Sequence, residues 1–168
     1  MIRVLALDID GVLTDGRVLL DESGRESKFL CFRDIDAVFH ARRQGLVLAL
    51  ITGEDTPMVE VISRRLAITQ VYRQAKDKLA AIQQLSRDLQ VSLREIAYVG
   101  DAPKDAPALA AVAWGLAPAD ADEKARAAAR QVLRHGGGNG AVSEAVHLLL
   151  AERERETGPQ VMTEEHLI

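Results

Sequence analysis

Short runs of Val, Ile and Leu alternate along this chain with longer segments of helical period. That alternation points to a parallel sheet covered by helices on both faces, because strands buried on both sides read as continuous apolar runs. The expected strands are 2–7, 46–51, 71–72, 96–99 and 113–116, with 131–134 as an added edge strand. Helices are expected over 36–44, 57–66, 78–89, 104–111, 122–130 and 141–153. A chain of 168 residues can bury roughly two-thirds of its unfolded surface around one core. A single α/β domain over residues 1–154 is therefore expected, followed by a flexible polar tail over 155–168. One section breaks the alternation: 18–20, the turn Asp21-Glu22-Ser23-Gly24 and 25–32 read as a β-hairpin between the first strand and the first helix. Gly136-Gly137-Gly138-Asn139-Gly140 reads as a flexible loop.

Charge and cysteine content exclude several classes of function. The formal net charge is -4 with no basic block, so neither nucleic acid nor a membrane surface is an expected partner. The first apolar run meets Asp8 at once, too early for a signal peptide or a membrane span. The single Cys31 cannot form an intrachain disulfide and fits a reducing compartment, so a cytoplasmic protein is expected. Cys31 lies in Phe29-Leu30-Cys31-Phe32 and reads as a buried structural thiol.

In open α/β sheets ligands bind beyond the carboxyl ends of the strands, and four of these ends carry reactive residue types. The first strand runs into Asp8-Ile9-Asp10-Gly11, which projects two carboxylates to one side of an extended segment. Such a pair can share a hard cation, or divide nucleophilic attack from proton transfer. Gly11 lets the backbone turn and offer an N–H to an anion. The second strand ends in Thr52-Gly53-Glu54 before a helix, a hydroxyl and free N–H groups suited to phosphate. Lys78 opens a long helix, and Gly100-Asp101-Ala102-Pro103-Lys104-Asp105 follows the 96–99 strand. Each feature taken alone also has a structural reading. Asp8 and Asp10 fit a turn after a strand, Thr52 and Asp101 fit helix N-caps, and Lys78 fits a solvated helix face.

The four features in this order resemble the motifs of the haloacid dehalogenase superfamily of phosphotransferases, and the resemblance covers nearly the whole chain. It implies a Rossmann-like three-layer α/β sandwich with a central parallel sheet, and a phosphoric monoester hydrolase. In that scheme Asp8 attacks phosphorus, while Asp10 protonates the leaving oxygen and then activates water. Mg²⁺ is implied at the carboxylates of Asp8 and Asp101 and the carbonyl of Asp10. Thr52, Lys78 and the N–H groups of Gly11 and Gly53 would hold the phosphoryl oxygens, with Asp105 supporting the site.

Spacing narrows the resemblance. The 44 positions from Asp8 to Thr52 and the 26 from Thr52 to Lys78 leave no room for a cap domain, only for the hairpin flap. The hairpin, the Arg33-Asp34 pair and the late glycine run resemble the capless phosphatases of 3-deoxy-2-ulosonate phosphates. These include the 3-deoxy-D-manno-octulosonate 8-phosphate phosphatases and the phosphatases of nine-carbon 9-phosphates. Ala102 departs from the family's usual acid, Asp34-Ile35-Asp36-Ala37 from its Asp-Gly-x-Gly, and Asn139 from the arginine common in its late glycine loop. Glu54, with Arg65 about three helical turns further on, is expected to pair at the entrance and favour a nine-carbon 9-phosphate. Arg33 and Asp34 are further candidates to face the substrate. The alternatives are the eight-carbon 8-phosphate, or a noncatalytic assembly module. Alternating apolar positions in the hairpin, Val18, Leu20, Phe29 and Cys31, predict a homotetramer built on these hairpins.

Overall fold

The computed structural model describes residues 1–158. In chain order its elements are β1 (Val4–Leu7), β2 (Leu19–Leu20), β3 (Glu26–Ser27), α1 (Phe32–Arg43), β4 (Val47–Ile51), α2 (Pro57–Leu66), β5 (Gln70–Tyr72) and α3 (Lys78–Leu89). There follow β6 (Ile96–Val99), α4 (Ala106–Ala111), β7 (Trp114–Ala117), α5 (Glu123–Ala128), β8 (Gln131–Val132) and α6 (Ala141–Thr157). Six strands form one wholly parallel sheet in the order β5-β4-β1-β6-β7-β8. No helix among the described residues is long and apolar enough to cross a membrane.

Strand periodicity divides the core into two layers. Leu5 and Leu7 of β1 and Leu48 and Leu50 of β4 face one side and pack with Val38 of α1, Ile62 of α2 and Val146 of α6. Val4, Ala6, Ala49, Ile51, Ile96 and Tyr98 face the other and pack with Ile82 of α3, Leu109 of α4 and Ala125 of α5. Side chains alternate along a strand, so continuous apolar runs fill both layers at once. From β1 the chain builds outward through β4 to β5, then crosses to the other side of β1 at β6. The reversal leaves a crevice above the carboxyl ends of β1, β4 and β6, where the motif residues meet.

Several expected boundaries move. The hairpin is much shorter than expected, pairing only Leu19 with Ser27 and Leu20 with Glu26. The Asp21 carboxylate gathers the N–H groups of Ser23 and Arg25 and closes the turn, while 28–31 leave the ladder. Helix α1 starts at Phe32, earlier than expected, because the Arg33-Asp34 pair forms its first turn. Cys31 precedes that turn and is only partly buried, not the buried core thiol expected. The 136–140 run is a packed turn rather than a loose one. Gly138 donates to Val12 O at 2.9 Å, Gly137 donates to Asp120, and a Cβ on Gly137 would collide with the carbonyl of Gly11. Helix α6 continues through Thr157, into the segment expected as tail, and the rest of that segment lies outside the described residues.

Candidate active site

Asp8 directly follows β1 and its carboxylate is almost fully buried. Oδ1 accepts from its neighbour's Ile9 N–H at 2.7 Å, and Oδ2 pairs with Lys78 Nζ at 2.7 Å. Lys78 stands at the start of α3, after Asp77 caps the helix by accepting from Ala80 N–H. Its side chain is 0% exposed, which overturns the solvated-helix reading of this lysine. The ammonium also donates to the carbonyl of Ile51 at 3.1 Å and lies 3.4 Å from Asp105. A buried ammonium needs such company, since an unpaired one would be neutralised by desolvation.

Asp105 holds the other side. Its Oδ1 accepts from the buried Tyr98 hydroxyl at 2.8 Å, and its Oδ2 accepts the N–H groups of Asp101 and Ala102 at 3.0 and 2.9 Å. These bonds tie the loop after β6 to Asp105. The Asp101 side chain has no protein hydrogen-bond partner among the described residues. Burial and the nearby carboxylates of Asp8 and Asp105 push its pKa up to about 7. Burial likewise raises Asp8 to about 6 against the opposing pull of Lys78. Carboxylates this close repel one another and favour either a shared proton or a cation.

Asp8, Asp101 and Asp105 each bring one oxygen within 4.8 Å of the others, a spacing able to hold a metal ion. Asp105 already accepts from two N–H groups and a hydroxyl, and Asp8 from one N–H and the Lys78 ammonium, so Asp101 is the carboxylate of the three left without a protein partner among the described residues. Gly11 has φ +78°, and any Cβ there would overlap Asp101 Oδ2, so the cradle around this carboxylate requires glycine. Hard oxygen donors of this kind suit Mg²⁺. The Gly11 N–H, expected to meet phosphate, donates here to Thr14 Oγ1 at 3.3 Å.

Thr52 is buried, and its hydroxyl oxygen accepts from Glu54 N–H, leaving the hydroxyl proton free to donate. Together with Asp8, Asp10, Gly16, Gly53, Glu54, Asp101, Ala102 and Lys104 it lines a cleft of about 190 Å³. That volume takes a phosphoryl group but little of a sugar, below the several hundred Å³ usual for ligand pockets. Lys104 and Lys76 bring their ammonium groups over Gly53, a cationic rim that the sequence did not flag.

The substrate-facing assignments fare differently. Asp34 is buried, and its carboxylate accepts from Gly140 N–H at 3.2 Å and Ser143 N–H at 2.9 Å, so it caps α6 and does not face the cleft. Arg33 is exposed beside Gly140, away from the cleft lining. Glu54 stands at the mouth, but Arg65 lies in the last turn of α2 and forms no ion pair with it among the described residues. Sequence reasoning also missed Lys28, whose Nζ pairs with Asp10 Oδ1 at 2.7 Å, and Tyr98. Both carried a faint signal, a lone cation before an apolar run and a lone phenol in a buried strand.

Residues 30–113 match the haloacid dehalogenase-like hydrolase family. The 3-deoxy-D-manno-octulosonate 8-phosphate phosphatase KdsC of Yersinia pestis is 34% identical over 157 residues, covering 94% of this chain and 84% of the relative. The chain is a haloacid dehalogenase-like hydrolase. The KdsC of Escherichia coli K12 is 38% identical to this hydrolase over 149 residues, covering 89% and 79% of the two chains. Among solved structures, the 3-deoxy-D-manno-octulosonate 8-phosphate phosphatase of Moraxella catarrhalis, in complex with magnesium, phosphate and KDO, superposes with a TM-score of 0.86. It is 32% identical, and the match covers 89% of the hydrolase and 86% of that chain.

Proposed function

We propose that this hydrolase is a Mg²⁺-dependent phosphatase of 3-deoxy-2-ulosonate phosphates that works through an aspartyl-phosphate on Asp8. The observation that carries the reading is the buried Lys78–Asp8 pair at 2.7 Å, with an oxygen of Asp101, a carboxylate without a protein hydrogen-bond partner among the described residues, within 4.8 Å of Asp8. Mg²⁺ bound by the carboxylates of Asp8 and Asp101 and the carbonyl of Asp10 would supply positive charge against the transferring group. An Asp8 oxygen attacks phosphorus, the ester P–O bond breaks, and Asp10 gives its proton to the departing alkoxide oxygen. Asp10 then removes a proton from water, whose oxygen attacks the same phosphorus and frees both phosphate and the Asp8 carboxylate. Lys78 and the Thr52 hydroxyl balance charge on the phosphoryl oxygens in both steps. Phosphate release should require Mg²⁺ and vanish in Asp8→Asn, because an amide is a poor nucleophile. Turnover retained by that variant would sink the covalent route.

The substrate's carbon count is a finer matter. Relatives named for the eight-carbon 8-phosphate support that substrate first. Glu54 at the mouth is the one feature favouring a nine-carbon 9-phosphate, now without the support of Arg65. A comparison of kcat/KM for the two esters separates them.

Assembly belongs to the same proposal. Leu19, Leu20, Phe29 and Phe32 are 63%, 62%, 74% and 73% exposed, an apolar display that a hairpin of two-residue strands cannot cover itself. Four copies packing these hairpins together would bury it, and a neighbour would wall a cleft too small to enclose a sugar. Light scattering should give about four times the chain mass, falling when Leu20 and Phe29 are made charged. The single cysteine, which fits a reducing compartment, supports action in the cytoplasm.

A further inference from the structure

Lys28 is the residue through which the hairpin reaches the catalytic loop. Its neighbours Ser27 and Phe29 are exposed, yet its own side chain is only 11% exposed and its Nζ lies 2.7 Å from Asp10 Oδ1. Asp10 is otherwise free to rotate: its side chain is 38% exposed, and Oδ2 has no protein partner among the described residues. A long, flexible lysine pulled inward from an exposed ribbon loses rotamer freedom, so its burial marks a contact that offsets that loss. The ammonium engages one carboxylate oxygen and leaves the other without a protein partner among the described residues, on a residue that lines the cleft.

We infer that Lys28 is a positioning residue for Asp10, holding Oδ1 so that Oδ2 is the oxygen that exchanges a proton with the leaving group and then with water. This inference rests on the phosphatase reading above. Proton transfer needs the acid within hydrogen-bond reach of the departing oxygen, and a carboxylate rotating freely at the mouth spends little of its time there. The electrostatic grip does not require Lys28 to touch the substrate.

Leaving-group chemistry tests this without relying on overall activity. An alkoxide must be protonated as it departs, whereas p-nitrophenolate leaves as a stabilised anion and needs no acid. In Lys28→Met, kcat/KM for 3-deoxy-D-manno-octulosonate 8-phosphate should fall roughly a hundredfold, while that for p-nitrophenyl phosphate falls by about fivefold or less. Lys28→Arg, which keeps the charge, should recover most of the difference. The aryl ester also reports folding, since a collapsed site would lose both substrates together. Equal losses on the two esters would overturn the inference, as would an effect confined to KM for the sugar acid, which would make Lys28 a substrate contact. A wild-type chain inactive on both esters would remove the phosphatase reading and this inference with it.

Discussion

Gly11 shows how one missing side chain can govern a charged site. With φ at +78° and the Asp101 carboxylate occupying the space of a Cβ, alanine there is both strained and in collision. Gly11→Ala should weaken Mg²⁺ binding about tenfold or more by displacing Asp101, which calorimetric titration of the metal would read. Tyr98 acts one step further out. Removing its hydroxyl in Tyr98→Phe leaves a fully buried Asp105 oxygen with only the more distant Lys78, at a cost of about 1–3 kcal/mol. A lowered melting temperature with nearly unchanged KM is the expected outcome. At this scale Asp8, Asp10, Thr52 and Asp101 were legible because strand ends announce themselves as apolar runs meeting polar residues, and Lys78 because it opens a long helix between two of those ends. Lys28 and Tyr98 were not, since their partners are 18 and 7 positions away and no periodicity reports a side-chain contact with a loop at that distance.

Among the elements, the sheet and its helices were the most readable, down to the edge strand at Gln131–Val132. Strong apolar periodicity fixes such elements locally. The first turn of α1 was not readable, because its helical state is tied to a partner more than a hundred positions away: Asp34 caps α6. Asp34→Ala should therefore destabilise the protein by roughly 1–2 kcal/mol through loss of that cap, while kcat/KM changes little. A specific loss of substrate affinity without loss of stability would restore Asp34 to a substrate-facing role. The glycine run misled for a related reason. Composition advertises backbone freedom, but here the same absence of side chains permits Gly137 to close against Gly11.

For the molecule as a whole, the carboxylates link pH, metal and stability. Asp8 and Asp101, raised from 3.8 to about 6 and about 7, bind their protons more tightly in the folded state than in the unfolded chain. Their contribution to stability is thus complete below about pH 4 and is lost as pH rises through 6 and 7. Metal-free protein should melt several degrees lower at pH 8 than at pH 5.5. Mg²⁺ should raise the melting temperature more at pH 8, where ligands need not shed protons. A Mg²⁺ effect equal at both pH values would mean that the ion binds elsewhere.

The wedge of Gly137 against the Gly11 carbonyl also bears on how the molecule comes into being on a ribosome. Asp8 is made well before its partners: its strand must await β6 for its second neighbour, and its loop must await residue 137 for its packing. At ordinary rates of synthesis that interval is on the order of ten seconds. Throughout it, the nascent chain carries an exposed pair of aspartates without the groups that arm them. Premature termination anywhere before the glycine turn should yield a chain with no residual activity, so translation itself keeps unfinished copies chemically silent.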